Sequence, residues 1–324
     1  MIELYYGNIN SLINVTKICF DKCVKENILF ICNTYNVRDN LFTDPCVGIK
    51  KFIFVKLYDD IQCFNEKECV YIDVVKNVVY RECKVPYFIR RTYQSSESCL
   101  AHLHREMTLC YGTFKEEDVE QRLVSQYLTG KEKVLELGGN IGRVALIVAN
   151  ILNSCGNTDF VSMECNTDIA KQLQENLVKN NIFFHIEPTA LSKRKIIQNG
   201  WHNVESDELL PEHLPVKNIS LQELTDKYNI QFDTLIIDCE EAFYVILMDF
   251  PEILNKITLL IMENDYLEQY KKEYVDKVLC ENHFEVVYSE KGGWPEEYNR
   301  FPCYKNFYEV WKLNCVKSDL SSED

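Results

Sequence analysis

The chain has 324 residues, enough for about two domains at roughly 100–200 residues each. Apolar residues make up 46% and charged residues 26%, a globular mixture that excludes a chain disordered throughout. With 50 Asp and Glu against 35 Lys and Arg, the net charge is −15, which argues against a broad nucleic-acid-binding face, because phosphate binding needs clustered positive charge.

Fifteen cysteines are spread from Cys19 to Cys315, and none forms a C-x-x-C pair. The expectation is reduced, mostly buried thiols in a cytosol-like compartment, without a zinc ribbon or a thioredoxin-type motif. Residues Met1–Gly7 lack a basic region and a long apolar run, and no 18-residue apolar stretch occurs. A cytoplasmic protein with neither signal peptide nor membrane span is expected.

Residues 1–86 are read as a small β-rich domain. Ile2–Tyr6, Ile28–Cys32, Lys51–Leu57 and Tyr71–Val75 are apolar or alternating and are punctuated by Asn, Asp, Gly and Pro. Four or five short strands without helices predict a sandwich or barrel. Residues 87–111 form a polar connector with mixed signals. Residues 112–315 are then read as an α/β domain, and residues 316–324 as an acidic disordered tail.

In the α/β domain, Val119, Leu123 and Tyr127 predict an amphipathic helix over 117–128. Strands are expected at 134–137, 160–164, 183–186, 234–238, 257–262, 284–288 and 307–313. Helices are expected at 141–152, 167–180, 220–228, 242–254 (despite Pro251) and 268–281. Alternation of this kind implies a mostly parallel sheet. The last two strands are joined by 289–306 without a helix pattern and are expected to pair antiparallel as a long hairpin.

Glu136-Leu137-Gly138-Gly139-Asn140-Ile141-Gly142 lies between the first strand and its helix. Glycines there allow a tight turn and a close backbone approach to a ligand, and Gly142 lets the helix pack near the strand. Glu136 would repel a pyrophosphate, and the spacing is not G-x-G-x-x-G, which counts against an NAD-dependent oxidoreductase. Glu164 ends the next strand, where a carboxylate can accept both hydroxyls of a ribose. Glu136, Gly138, Gly139, Asn140, Gly142 and Glu164 together point to a nucleoside carrying positive charge, and S-adenosylmethionine fits. The competing reading is an ordinary strand–turn–helix with structural glycines.

Asp238-Cys239-Glu240-Glu241 and Glu263-Asn264-Asp265 end two further strands, on the side where open α/β sheets bind ligands. Asp238 and Glu240 are the candidate catalytic acids. Asp238 suits a general base or a ligand for a hard cation such as Mg²⁺; no full metal-ligand set is assigned. Capping of the helix at 242 explains the same acids equally simply.

These residues resemble the FkbM family of S-adenosylmethionine-dependent methyltransferases. The resemblance rests on the loop 136–142, on Met163-Glu164, on Ile237-Asp238-Cys239-Glu240-Glu241-Ala242, on Met262-Glu263 and on Ser220-Leu221-Gln222-Glu223-Leu224. It covers about 112–315 and implies a Rossmann-like class I methyltransferase sheet of seven strands, the last antiparallel. It also implies O-methylation of a sugar or other small hydroxyl acceptor, with Glu136 and Gly138–Gly142 holding the methionine part, Glu164 the ribose, and Asp238 or Glu240 serving the acceptor. The family's glycine after Asp-x-Glu is Glu241 here, and its second Glu is Phe243. That departure raises an alternative, a catalytically silent methyltransferase-fold binding or assembly protein. Tyr6-Gly7, Val15-Thr16 and the segment from Asp44-Pro45 to Lys51 loosely resemble a small β-domain found beside chaperone-like proteins, and with the composition the chain is similar to proteins of giant DNA viruses. The ligand of that domain is not assigned; a membrane partner is not expected, and nucleic acid is disfavoured as acceptor.

Other constellations are weaker. Cys99, His102, His104 and Cys110 match no common zinc spacing and read as a connector surface or a lid, with His102 and His104 on one face of a strand. Trp201 and Trp294 stand beside glycines and can line a pocket or cover the core edge. His202 and His283 are candidate bases by titration range alone. Lys193-Arg194-Lys195 is a solvated face or a phosphate contact.

Overall fold

The computed structural model describes residues 2–81, 85, 87–93, 95–200, 202–293, 297 and 300–314. The tail at 316–324, Cys315, Trp201, Trp294 and the side chain of His202 lie outside the described residues. The chain divides into two compact units, Met1–Gln94 and Ser95–Asp324. The division falls inside the stretch read as a connector.

The first unit contains β1 (Ile2–Asn8), β2 (Ser11–Asn14), α1 (Thr16–Lys22), β3 (Val24–Lys25), β4 (Ile28–Ile31), α2 (Tyr35–Phe42), β5 (Phe52–Leu57), β6 (Asp60–Phe64), β7 (Val70–Asp73), β8 (Val78–Tyr80) and α3 (Tyr87–Tyr93). Two four-stranded antiparallel sheets, ordered β2-β1-β5-β6 and β3-β4-β7-β8, share one core. Leu4, Tyr6, Ile53 and Val55 from one sheet meet Leu29, Ile31, Val70 and Ile72 from the other. The helices α1 and α2 were not expected, because each is a short insertion with little 3.6-residue periodicity.

Residues of the N-terminal motif hold this unit together. Gly7 has φ +138°, and a Cβ there would come 2.1 Å from the Ser11 carbonyl oxygen. The Tyr6 hydroxyl donates to Asp39 (2.6 Å), Thr16 Oγ1 accepts from the Leu4 amide (2.8 Å), and the buried Lys51 pairs with Asp44 (2.9 Å).

The second unit begins with α4 (Ser96–Glu106) and α5 (Asp118–Tyr127). Thus α3 and α4 occupy the stretch read as connector, and His102 and His104 lie on a helix, not a strand. Then come β9 (Val134–Leu137), α6 (Arg143–Asn153), β10 (Phe160–Met163), α7 (Thr167–Asn180) and β11 (His185–Glu187). An insertion follows, made of β12 (Ala190–Leu191), β13 (Ile196–Asn199), β14 (His202–Glu205), β15 (Leu214–Pro215) and β16 (Asn218–Ile219). The alternation resumes with α8 (Leu221–Tyr228), β17 (Thr234–Ile237), α9 (Ala242–Asp249), β18 (Leu259–Glu263), α10 (Gln269–Glu281), β19 (Phe284–Glu290) and β20 (Tyr308–Leu313).

The seven-stranded sheet has the order β11-β10-β9-β17-β18-β20-β19. The first five strands are parallel, and β20 runs antiparallel to both its neighbours. This is the seven-stranded sheet expected from the sequence, mostly parallel with the last strand in the chain antiparallel, in an α/β fold with a separate β-rich N-terminal part. The strand order reverses between β9 and β17, so the crevice at their carboxyl ends is the topological switch point.

Local chemistry explains the boundaries. Ser220 and Glu223 form a reciprocal capping box at α8. α9 stops at Asp249, and a 3₁₀ turn starts at Pro251, so the helix expected through 254 is broken where proline has no N–H to donate. Asn199 pairs with His202, so the hairpin connection begins at Gly200, whose φ of +57° suits a tight turn, and that glycine is the signal that would have revealed β13 and β14.

Candidate functional site

A cavity of about 560 Å³ opens at the carboxyl ends of β9, β10, β17 and β18. One side is built by the glycine loop. Gly138 has φ +91°, and a Cβ there would lie 1.6 Å from the Asp238 carbonyl oxygen, so the loops after β9 and β17 touch backbone to backbone. Gly139 faces Ser162, where a Cβ would stand 2.1 Å from the hydroxyl oxygen. Gly142 is the left-handed cap of α6 against Leu173.

Glu164 is buried and borders the cavity. It accepts from the Asn140 amide (2.9 Å) and the Asn166 amide (2.8 Å), one at each carboxylate oxygen. Burial raises its pKa, and those two amides oppose the rise. Asn140 also borders the cavity and donates through Nδ2 to Glu117 (3.0 Å). Glu136 sits beneath the loop, outside the main cavity, beside a void of about 10 Å³. Only 2% of it is exposed; burial pushes its pKa up to about 8, and Ser162 donates a hydrogen bond to it that opposes the rise.

Two residues on this side carried no sequence signal. Glu117 caps α5 in the left-handed region, and Arg143 opens α6. The Arg143 guanidinium binds Glu117 (2.6 Å), Glu116 and the Thr113 carbonyl (3.1 Å). Burial raises the pKa of Glu117, and Arg143 opposes it.

The other side is made of acids. Asp238 at the end of β17, Glu263 at the end of β18 and Glu120 on α5 bring carboxylate oxygens within 4.8 Å of one another. Burial, then the charges of Glu120 and Glu117, raise the Asp238 pKa well above its ordinary value. Burial, then Asp238, pushes Glu263 up to about 12. Glu240, at φ +54°, is pushed up to about 8 by burial and by a hydrogen bond to Asp265. Asp265 also accepts from the Tyr304 hydroxyl (2.7 Å).

Glu241, the departure from the FkbM pattern, has an assignable place. It pairs with Lys271 and accepts the amides of Leu267 (2.9 Å) and Glu268 (3.1 Å), tying the start of α10 to the start of α9. The chain therefore has a structural use for the carboxylate. Asn264 points the other way, donating to the Asn306 carbonyl (2.7 Å) and Glu309 (3.1 Å).

The weaker candidates separate from the site. Cys99 is buried in α4, and His104 bonds Gln121 (2.7 Å) and stacks on Phe114. Among the described residues, the three-acid group alone converges as a metal-type cluster. Arg194 lines the cavity but is held by Asp249 (2.9 Å) and Glu205 (2.8 Å), while Lys195 pairs with Asp207. Two of the three basic residues of the run are thus paired with acids, and Lys193 donates to the Asp249 carbonyl. His283 ends the turn after α10 and does not line the cavity. Among the described residues, no helix is long and apolar enough to cross a membrane.

No family model and no curated protein matches the chain. Solved structures similar to it include a protein of the NADB-Rossmann superfamily from Streptococcus agalactiae. It is 15% identical, with 60% of this chain and 67% of that one covered at a TM-score of 0.37. A ribosomal protein L11 methylase from Lactobacillus delbrueckii subsp. bulgaricus is 11% identical, with coverage of 63% and 79% and a TM-score of 0.37. An O-methyltransferase from Bacillus cereus in complex with SAH is 13% identical, with coverage of 67% and 90% and a TM-score of 0.35.

Proposed function

We propose that the chain is an S-adenosylmethionine-dependent methyltransferase of the FkbM type that methylates a hydroxyl oxygen of a small acceptor, sugars included. The observation that carries this reading is Glu164, a carboxylate bordering the cavity at the end of β10, beside a glycine loop at the switch point of the sheet. Each oxygen of Glu164 accepts one backbone amide and keeps a lone pair for a ribose hydroxyl. Glu136, Gly138, Gly139, Asn140 and Gly142 would shape the methionine end, with Glu136 acting from beneath the loop.

With S-adenosylmethionine bound, its sulfonium would supply the methyl group, and the residues of this chain would position the acceptor oxygen in line with it. Asp238 or Glu240 at the end of β17, both of which border the cavity, would take the acceptor proton when ionised, the form that burial disfavours in each. The silent-fold alternative rested on Glu241, and the ties of Glu241 to Lys271 and to two amides give that residue a role compatible with turnover.

Calorimetry with S-adenosylmethionine and S-adenosylhomocysteine on wild type and Glu164→Ala tests the reading. Saturable binding weakened by the substitution supports it and leads to an acceptor screen beginning with sugars. No binding by folded wild-type protein would sink it.

A further inference from the structure

We propose that the methyl acceptor carries a protonated primary amine beside its hydroxyl, and that Glu120, Asp238 and Glu263 receive the ammonium. That the occupant is the acceptor rests on the methyl-transfer reading; that the pocket takes an ammonium does not. The three carboxylates come from three separate elements, and their oxygens lie within 4.8 Å of one another. A primary ammonium has three donors. Three acceptors at about 2.8 Å from its nitrogen, spread at tetrahedral angles, stand about 4.6 Å apart, so one ammonium can meet an oxygen from each residue.

A second observation points to the same occupant. Glu120 lines the cavity and is only 5% exposed, and its Oε2 is enclosed with no hydrogen-bond partner. A buried carboxylate oxygen without a donor loses its hydration without replacement. Among the described residues, the cations on the cavity wall are Arg194 and Lys271. Arg194 is held by Asp249 and Glu205, and Lys271 by Glu241, so neither is free to supply the donor. The other groups around the triad, Glu117, Glu240, Asp265 and Tyr308, are not cationic. An anionic acceptor would enter against this charge, and a neutral polyol would leave it uncompensated. The cofactor's own ammonium is the rival occupant. Glu263 stands away from its place, because β18 is separated by β17 from β9 and the glycine loop. An ammonium beside Asp238 also favours the ionised form of that carboxyl, the form able to take the acceptor's hydroxyl proton.

Calorimetry near neutral pH, with EDTA to keep divalent ions off the acids, tests this with three probes of one shape. They are trans-2-aminocyclohexanol, trans-1,2-cyclohexanediol and trans-2-hydroxycyclohexanecarboxylate. The amino alcohol should bind about 10-fold or more tighter than the diol, the worth of one hydrogen bond to a charged group, and the hydroxy acid should not bind. Glu120→Gln should cut that preference roughly 10-fold. Glu263→Gln serves as the second variant if Glu120→Gln does not fold. Glu281→Gln, at the far end of α10 and off the cavity, should keep the preference. Saturating S-adenosylhomocysteine should leave the amino alcohol bound. No binding of the amino alcohol by folded wild-type protein, no preference over the diol, or a preference that neither triad variant reduces would overturn the proposal. Displacement by S-adenosylhomocysteine would also overturn it, by giving the ammonium pocket to the cofactor. The three-probe series uses no cofactor, so its failure leaves the methyl-transfer reading standing. A protein that binds the amino alcohol but not S-adenosylhomocysteine would keep the ammonium pocket and lose that reading.

Discussion

On the β9–β10 side of the cavity, Glu164 accepts two backbone amides and Glu117 is paired with Arg143. On the β17–β18 side, Glu120, Asp238 and Glu263 face one another, and among the described residues none of the three has an ion pair. Both sides are acidic and largely buried. The first is complete in the protein alone, because the turn that shapes the loop also supplies its donors. The second is incomplete, with a carboxylate oxygen left unpartnered. An acid whose charge is already satisfied can orient a neutral hydroxyl; a set of unsatisfied acids demands a proton or a cation.

The largest effect is expected where the two sides touch. Gly138→Ala would drive a methyl group into the Asp238 carbonyl and impose a left-handed φ on alanine, costing on the order of 3 kcal/mol. Urea unfolding midpoints measure it. Full stability in that variant would mean that the two loops are not locked together.

Next, Glu164→Ala should lower S-adenosylhomocysteine affinity by about 10- to 100-fold, the worth of one or two hydrogen bonds to a charged group. Glu164→Gln should lie between alanine and wild type, because it keeps one acceptor oxygen. Equal affinities by calorimetry across the three proteins would remove Glu164 from the nucleoside site.

Glu136 sharpens the comparison through pH. The folded protein holds the Glu136 proton to about pH 8, whereas an unperturbed glutamate releases it near 4.5. Between those values the folded state binds more protons than the unfolded state, so this group makes stability fall as pH rises. The loss should approach on the order of 4 kcal/mol by pH 8, and Glu136→Gln should flatten that part of the curve. Melting temperatures measured from pH 5 to pH 8 on both proteins test this, and parallel curves would contradict it.

The smallest effect belongs to Glu241. Glu241→Gly introduces the residue that the FkbM pattern has at this place but removes the Lys271 pair and the acceptor for two amides. A cost of about 1 kcal/mol is expected, with cofactor affinity unchanged, because the hydrogen bonds and ion pair of Glu241 go to the start of α10 and not to Glu164 or the glycine loop. A simultaneous loss of affinity by calorimetry would show that the two sides are coupled.

The glycine loop and the strand-end acids were legible because each is a local pattern: glycines at a turn, and a carboxylate where an apolar run stops. The same held for the parallel core, whose strands read as short apolar runs between amphipathic helices. The hairpin of β19 and β20 followed from a connection with no helix pattern. The β12–β16 insertion was missed because its strands are short and half exposed, although Gly200 marked the turn.

The sequence by itself determined the alternation of strands and helices around the seven-stranded sheet, the glycine turn and the identity of the acids at four strand ends. These follow from backbone geometry and from residue periods of two and 3.6, which act over a few neighbours. Only the tertiary structure decided which acids meet. Glu120 and Glu263 are 143 positions apart in the sequence, and their approach depends on α5 packing against β18. The same packing desolvates them. Charge repulsion and burial act through space, so the emptiest part of the site is the part that no stretch of sequence could announce.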